Sequence, residues 1–155
     1  MSHCLTEEAL IEYVKPYFKS KGFKKKGKRW VKETDEFTIS FLIQGSSYSK
    51  EGYYIRPGIF INALLPTDNY YGHWMTEIEQ TTAAEVVKRF EIWCEEWTNQ
   101  SLIKTRLLEF IEWDKRNPLE KRRAGTVDYA RDPIPAREFL SINLKVKQYI
   151  LDNFS

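Results

Sequence analysis

A run of glycine and lysine near the N-terminus is the most conspicuous candidate for chemistry. Gly22-Phe23-Lys24-Lys25-Lys26-Gly27-Lys28 has the spacing of a loop that binds nucleotide phosphates. Such a loop needs a Ser or Thr for magnesium directly after the lysine, and Arg29 occupies that position. The loop must also run from a strand into a helix so that its amides point at phosphate, whereas this run is predicted to lead from a helix into a strand. We therefore reject nucleotide hydrolysis here.

The same segment suggests a second chemistry, the binding of polyanions. Basic side chains crowd Lys21–Lys32 beside Phe23 and Trp30, and single-stranded nucleic-acid binders combine basic with aromatic residues in this way. The predicted polyanion-binding residues are Lys24, Lys25, Lys26, Lys28 and Arg29, with Trp30 or Phe23 stacking on a base. The competing interpretation is a solvated turn whose lysines keep a strand edge from aggregating. That interpretation is favoured because acidic residues from Glu33 to Glu36 follow directly and would repel phosphate.

Side chains suited to metal binding or covalent catalysis lack partners at useful spacing. His3 and His73 are the only histidines of the chain, and neither lies at ligand spacing from Cys4 or Cys94. Cys94 falls on the predicted apolar face of a helix, where a thiol is inert, and His73 has no orienting acid nearby in sequence. The sequence therefore predicts no catalytic residue, no metal, no cofactor and no enzymatic activity. Groups assembled from distant segments stay open as an alternative.

Aromatic residues are abundant, with 5 Trp, 9 Tyr and 9 Phe. Several flank the predicted third strand, namely Tyr48, Tyr53, Tyr54, Tyr70, Tyr71 and Trp74. Such rings are common at binding hot spots because they combine a large contact area with a polar group, although core packing at the sheet ends explains them equally well. The leading hypothesis is a non-enzymatic module that binds another protein through the polar loop from Gly45 to Gly52 and its neighbours. Its predicted contact residues are Gln44, Ser46, Ser47, Tyr48, Tyr53, Tyr54 and Trp74.

A helix is predicted upstream of the basic segment. Thr6 can cap it, Gly22 would end it, and one apolar stripe runs from Leu10 to Phe18. Pro16 lacks the backbone N–H that a helix interior needs, which predicts a kink or a break into two short helices.

Three strands are predicted next. Arg29-Trp30-Val31-Lys32 forms a short one, apolar and polar residues alternate strictly from Phe37 to Gln44, and a third run extends from Tyr53 to Leu65. Pro57-Gly58 predicts a bulge or an edge position in the third strand. Because the connections are short, we expect an antiparallel meander of three or more strands.

The second half of the chain is predicted to be helical. Thr82 and Glu85 form a capping box before one helix, the next ends at Asn117-Pro118, and a last helix runs from about Ala136 to Phe154. The fold class is therefore α+β: an N-terminal helix, the meander, then three or more helices packed on one face of the sheet. No linker or repeat divides the chain, so we expect a single domain over residues 1–155.

Charge and cysteine content bear on location and partners. The 24 basic and 22 acidic residues nearly cancel, so no global field commits the chain to nucleic acid or to a membrane. The sequence carries no secretory signal pattern and no apolar run near the roughly 20 residues that cross a bilayer. Two distant cysteines fit reduced thiols better than a disulfide framework. We therefore expect a cytoplasmic protein without a membrane partner.

Several short motifs occur together in the first half of the chain. They are Gly22-Phe23-Lys24-Lys25-Lys26-Gly27, Trp30, Gln44, Ser46-Ser47-Tyr48-Ser49 and Gly58-Ile59-Phe60. In this combination the chain resembles an uncharacterised bacterial family filed as domain of unknown function 4304. The resemblance implies a small bacterial cytosolic α+β protein with no assigned activity, cofactor or catalytic residue. In size and aromatic-rich build, that family is similar to the immunity proteins with which bacteria neutralise a toxin, so a toxin domain is the partner it implies.

Overall fold

The computed structural model describes residues 5–45 and 52–155. These residues belong to two compact units, Met1–Thr98 and Asn99–Ser155. The first unit holds a helix, an antiparallel sheet and a second helix, and the second unit holds helices and their connections. The predicted α+β class is confirmed, with a helix before the sheet and several helices after it. The single domain over residues 1–155 stays a prediction.

The first helix, α1, spans Glu7–Ser20 and is continuous through Pro16. The predicted division into two helices is therefore wrong. An interior proline costs a helix about 3 kcal/mol. The fully buried stripe of Leu10, Val14 and Phe18 offsets this cost, because each such side chain contributes about 1.5–3 kcal/mol. Thr6 caps α1 as predicted, since its hydroxyl oxygen accepts a hydrogen bond from the Ala9 amide at 3.1 Å.

Five strands of the described residues form one antiparallel sheet in chain order. They are β1 (Lys24–Lys26), β2 (Arg29–Glu33), β3 (Phe37–Gly45), β4 (Tyr53–Ile61) and β5 (Trp74–Met75). The three predicted strands correspond to β2, β3 and β4. β1 and β5 have only three and two residues, too few for a period of two to reveal them.

Pro57 and Gly58 lie in the interior of β4, so the predicted bulge or edge position is wrong. Pairing with β3 is unbroken, with Phe41 opposite Pro57, and β4 pairs with β5 on its other side. The Pro57 carbonyl accepts a hydrogen bond from the Thr76 amide at 3.0 Å, on the side toward β5. The missing N–H of Pro57 also points to that side, so its absence removes no bond from the ladder between β3 and β4.

The core of the first unit lies between one face of the sheet and two helices, α1 and α2 (Ala83–Trp97). The Phe18 ring of α1 lies 4.9 Å from the Phe41 ring of β3 and 5.6 Å from the Phe90 ring of α2. The buried cluster comprises Leu10, Val14, Phe18, Trp30, Phe41, Ile43, Tyr53, Ile55, Ile78, Val86, Val87 and Phe90. α1 and α2 therefore cover the same face of the sheet.

The second unit consists of helices and their connections. Its helices are α3 (Gln100–Arg116), α4 (Leu119–Arg123) and α5 (Leu144–Asn153), with a 3-10 helix at Arg137–Phe139. The last helix begins at Leu144 and not at Ala136 as predicted, because Asn143 caps it by accepting a hydrogen bond from the Lys145 amide at 2.8 Å. None of the helices in the described part of the chain is long and apolar enough to cross a membrane.

Candidate binding surface

The sheet has a second face, turned away from α1 and α2, which we call the far face. Neighbouring residues of a strand point to opposite faces, so Gln44, Tyr54 and Arg56 lie on the far face while Ile43 and Ile55 join the core. Cross-strand pairs share a face as well. Gln44 lies opposite Tyr54, Leu42 lies opposite both Arg56 and Arg29, and Arg29 lies opposite Lys26. The far face thus gathers polar, aromatic and basic side chains from β1 to β4.

Arg56 is the centre of a side-chain network that we call the Arg56 cluster, formed by Gln44, Tyr54, Arg56, Tyr71 and Glu77. Arg56 Nη1 donates hydrogen bonds to Gln44 Oε1 at 2.5 Å and to the Tyr71 hydroxyl at 3.2 Å. Its guanidinium lies 4.4 Å from the centre of the Tyr54 ring, and its Nε lies 3.3 Å from Glu77 Oε1. With 24% of the side chain exposed, Arg56 is held by these contacts and still reachable from solvent. Nε and Nη1 are engaged with Glu77, Gln44 and Tyr71, so within the described part of the chain Nη2 is the nitrogen left to donate a charge-assisted hydrogen bond to a carboxylate.

The loop before β5 supplies Tyr71 to this cluster, and two glycines let that loop approach β4. A Cβ on Gly58 would lie 1.7 Å from the Tyr71 carbonyl oxygen, which no other residue could accommodate without movement. Gly72 has a φ of +133°, and a Cβ there would lie 2.8 Å from the Ile59 nitrogen. Asn69 shapes the turn, because its Oδ1 accepts a hydrogen bond from the Tyr71 amide at 3.1 Å. The far face is therefore built jointly by the sheet and by this loop.

A second arginine and tyrosine extend the far face toward β1. Arg29 donates through Nη2 to the Tyr70 carbonyl at 2.7 Å, and its guanidinium lies 4.4 Å from the centre of the Tyr70 ring. Tyr70 is 59% exposed, and Lys24 and Lys26 are exposed on the same face of β1. Glu33 is the acidic residue of β2 on this face. The edge nearest β1 therefore carries mainly positive charge.

The comparison with family models identifies the part of the chain that contains this surface. The model described as Domain of unknown function (DUF4304) matches residues 14–92, which is just over half of the chain. The chain belongs to this family. The match includes all five strands and ends within α2, so the far face lies inside the DUF4304 region. Neither the curated proteins nor the solved structures gave a match.

Within the DUF4304 region, the residues predicted to bind a protein separate into three groups. Gln44 and Tyr54 lie together on the far face. Tyr53 and Trp74 are core residues, 3% and 1% exposed, so they offer no ring to a partner. Their polar atoms bond internally, since the Tyr53 hydroxyl donates to the Leu5 carbonyl at 2.6 Å and Trp74 Nε1 donates to the Trp97 carbonyl at 3.2 Å. Ser46, Ser47 and Tyr48, with most of the loop from Gly45 to Gly52, lie outside the described residues.

The residues predicted to bind polyanions are divided between the two faces of the sheet. Lys24, Lys26 and Arg29 lie on the far face, whereas Lys25 lies on the face of α1, with its Nζ 5.9 Å from the Trp30 ring. Lys28 forms an ion pair with Glu7. The segment therefore does not present its charges as one surface.

The aromatic residues of that segment do not provide a stacking platform. Trp30 is 2% exposed, so the prediction that its ring stacks on a base is wrong. Phe23 is half-buried, and its ring lies 4.7 Å from that of Phe18. Both rings pack against the core of the first unit. The sequence did not indicate this, because the predicted strand Arg29-Trp30-Val31-Lys32 is too short to assign its faces and Phe23 lies outside it.

The two groups considered for catalysis are placed as packing residues. Burial lowers the pKa of His73, and His73 Nδ1 accepts a hydrogen bond from the Ile61 amide at 2.8 Å. Burial, together with the nearby Glu91 carboxylate, raises the pKa of the half-buried Cys94 thiol to about 12, so it is protonated at neutral pH. Among the described residues, no group of three His, Cys, Asp or Glu side chains is placed to hold a metal ion. His3 and Cys4 lie outside those residues.

Four residues of this surface were not among the predicted binding residues, namely Arg56, Tyr70, Tyr71 and Glu77. The sequence held a signal for the first. Arg56 stands two positions after Tyr54 in a strand, so both side chains must share a face. The loop that brings in Tyr71 has no such period, and its approach to β4 depends on tertiary packing at Gly58.

Proposed function

We propose that this member of the DUF4304 family is a non-enzymatic module that binds another protein through the far face. The Arg56 cluster is the observation that supports the proposal most. Arg and Tyr are enriched at protein interfaces and at hot spots. The Arg56 guanidinium is already held by Gln44, Tyr54, Tyr71 and Glu77, so little side-chain entropy is lost when a partner binds.

The charge of the far face indicates the chemistry of the partner. Lys24, Lys26 and Arg29 stand on one edge, beside the exposed ring of Tyr70. Complementary charge steers association and selects partners, so the proposed partner presents an acidic surface. Tyr70 would be the aromatic anchor of this contact and Arg56 would take a carboxylate at its centre.

The immunity-like form of this proposal makes the partner a toxin domain. Its support is the size and aromatic-rich α+β build that the resemblance rests on, which is an argument at the level of fold. The proposal also includes a cytoplasmic location, where the free thiol of Cys94 would stay reduced. The non-enzymatic part is supported by the protonated thiol of Cys94 and by the use of His73 Nδ1 in a backbone hydrogen bond.

Polyanion binding is the second candidate, supported by the charges of Lys24, Lys26 and Arg29. A protein partner is favoured over nucleic acid because Trp30 is buried and cannot stack on a base.

The test compares two double variants in affinity capture from the host lysate, with nuclease treatment at moderate and high salt. Lys26→Glu with Tyr70→Ala changes the far face. Lys88→Glu with Tyr13→Ala changes an exposed lysine of α2 and a tyrosine of α1 that is 47% exposed. We expect one stoichiometric protein with the wild type and the α1/α2 variant, and its loss with the far-face variant. With purified partner, loss of a hot-spot ring corresponds to about 2 kcal/mol, or roughly thirtyfold in Kd.

Two controls make the result decisive. Both variants should unfold at the urea midpoint of the wild type, because all four positions are exposed. Capture of the same protein by both variants would refute the far-face proposal. Nuclease-sensitive material that elutes at high salt would favour the polyanion alternative instead.

A further inference from the structure

A cleft opens between α1 and the hairpin of β1 and β2, on the face of the sheet opposite to the far face. Its volume is about 280 Å³. Lys15 and Lys19 of α1, Lys25 of β1, Phe23 and Trp30 line it, and we call it the lysine cleft. Ligand pockets commonly measure about 300–1,000 Å³, so this cleft lies just below that range and has room only for a small ligand.

The walls of the lysine cleft carry excess positive charge. Lys15 pairs with Glu12 at 3.1 Å. In the described part of the chain, no carboxylate forms an ion pair with Lys19 or Lys25. Two ammonium groups therefore face the cleft without a counterion from these residues, and an apolar wall beside them strengthens their attraction for an anion.

Protection of a strand edge accounts for only part of this charge. β1 is the edge strand of the described sheet, and lysines along an edge oppose pairing with another chain. That role covers Lys24, Lys25 and Lys26 of β1. It gives no reason for Lys15 and Lys19, which stand four residues apart on α1 and flank the same cleft.

The aromatic residues at the base of the cleft indicate that the ligand also has an apolar part. Phe23 is half-buried and lines the cleft, while Trp30 lines it with little accessible surface because it is 2% exposed. Lys25 Nζ lies 5.9 Å from the Trp30 ring, so a positive group stands directly beside the apolar floor. A ligand that fits both has an anionic group next to a flat apolar body.

We infer that the lysine cleft binds a small organic phosphate with a flat apolar body, at a site separate from the far face. The phosphate lies between Lys19 and Lys25, with Lys15 at the rim, and the apolar body rests on Phe23. This inference goes beyond the proposed protein binding and does not depend on it, because the two surfaces lie on opposite faces of the sheet.

The test is a titration with phenyl phosphate followed by proton–nitrogen NMR, with inorganic phosphate and phenol as partial probes. We expect saturable shifts of the Phe23 amide and the Trp30 indole, with weaker binding of inorganic phosphate and none of phenol. Lys19→Gln with Lys25→Gln should weaken phenyl phosphate about tenfold. Lys24→Gln with Lys26→Gln, on the same strand but the opposite face, should change Kd less than twofold.

Two outcomes would overturn the inference. The first is no saturable shift at millimolar phenyl phosphate, and the second is equal weakening by the two double variants, which would mean a diffuse positive surface. Loss of the protein partner in the Lys24 and Lys26 variant alone would concern only the far face, so the two proposals fail separately.

Discussion

His73 fixes the loop before β5 to the end of β4 through one imidazole nitrogen. Its Nδ1 accepts a hydrogen bond from the Ile61 amide at 2.8 Å, and its ring lies 5.7 Å from that of Phe60. Protonation would place an N–H at Nδ1, facing the Ile61 N–H. This contact therefore requires the neutral imidazole. Burial also lowers the pKa of His73, because it removes the charged form from water.

We expect the free energy of unfolding to decrease as the pH falls below about 6.5, the ordinary pKa of histidine. The unfolded chain binds the proton before the folded chain does, so stability is lost from that value down through the lowered folded-state pKa. One proton limits the slope to about 1.4 kcal/mol per pH unit. Urea denaturation between pH 5 and pH 8, with His73→Asn as the control, measures how the free energy of unfolding changes with pH. Asn offers an acceptor that does not titrate, so the same pH dependence in both proteins would contradict a role for the neutral His73 imidazole.

Strand alternation explains which contact residues were predictable. Tyr53 and Tyr54 are adjacent in β4, so they point to opposite faces and could not both contact one partner. The same rule divides Lys25 from Lys24 and Lys26. The burial of Trp74 could not be predicted from strand alternation, because a strand of two residues shows no pattern. The position of Trp74 depends on its tertiary contact with Trp97.

At the scale of elements, the contact between β4 and the loop before β5 determines whether the far face forms. Gly58→Ala would place a Cβ 1.7 Å from the Tyr71 carbonyl oxygen, so the loop must move. We expect a loss of about 1–3 kcal/mol in the free energy of unfolding, as for other overpacked sites. Tyr70 and Tyr71 would be displaced with the loop, so partner binding should weaken as well.

Gly45→Ala is the matched control for this substitution. Gly45 ends β3 of the same sheet, and a Cβ there would have no atom of the described residues within 4 Å. We expect this variant to change the free energy of unfolding by less than about 0.5 kcal/mol. Urea denaturation compares the two. If the Gly58→Ala protein is as stable as the Gly45→Ala protein, the loop moves without a loss of stability and the prediction is wrong.

The elements themselves were predicted to different degrees for physical reasons. α1, β3 and α2 carry a cap or a clear period, and the structure has them where the pattern placed them. The bulge or edge position predicted from Pro57-Gly58 was wrong because the two residues have separate roles. The position of Pro57 that lacks an N–H faces β5, and Gly58 leaves room for the loop before β5. Both roles depend on how the strands pair, which the sequence does not show.

At the scale of the whole molecule, a formal net charge of +2 conceals how the charges are arranged. Lys24, Lys26 and Arg29 stand on one face of the sheet, and the lysine cleft opens on the other. Composition alone favoured neither a polyanion nor a protein partner, because it cannot sort charges by face. The proposed protein site and the proposed phosphate site are therefore compatible, because they lie on opposite faces of one DUF4304 region.

The single-domain prediction applies to the whole chain and can be tested by its unfolding. Folded domains of about 60 residues bury only about 60% of the surface of their unfolded chain and are marginal alone. Asn99–Ser155 is of that size, so we expect it to unfold together with Met1–Thr98.

Pulsed hydrogen exchange with peptide-level mass spectrometry across a urea series should give one midpoint for peptides of both units. Trp113 is the one tryptophan in Asn99–Ser155, so in a Trp113→Phe variant all tryptophan fluorescence comes from Met1–Thr98. We expect its fluorescence and its far-UV circular dichroism to give the same urea midpoint. Two midpoints, with Asn99–Ser155 opening first, would instead mean that the chain contains two domains.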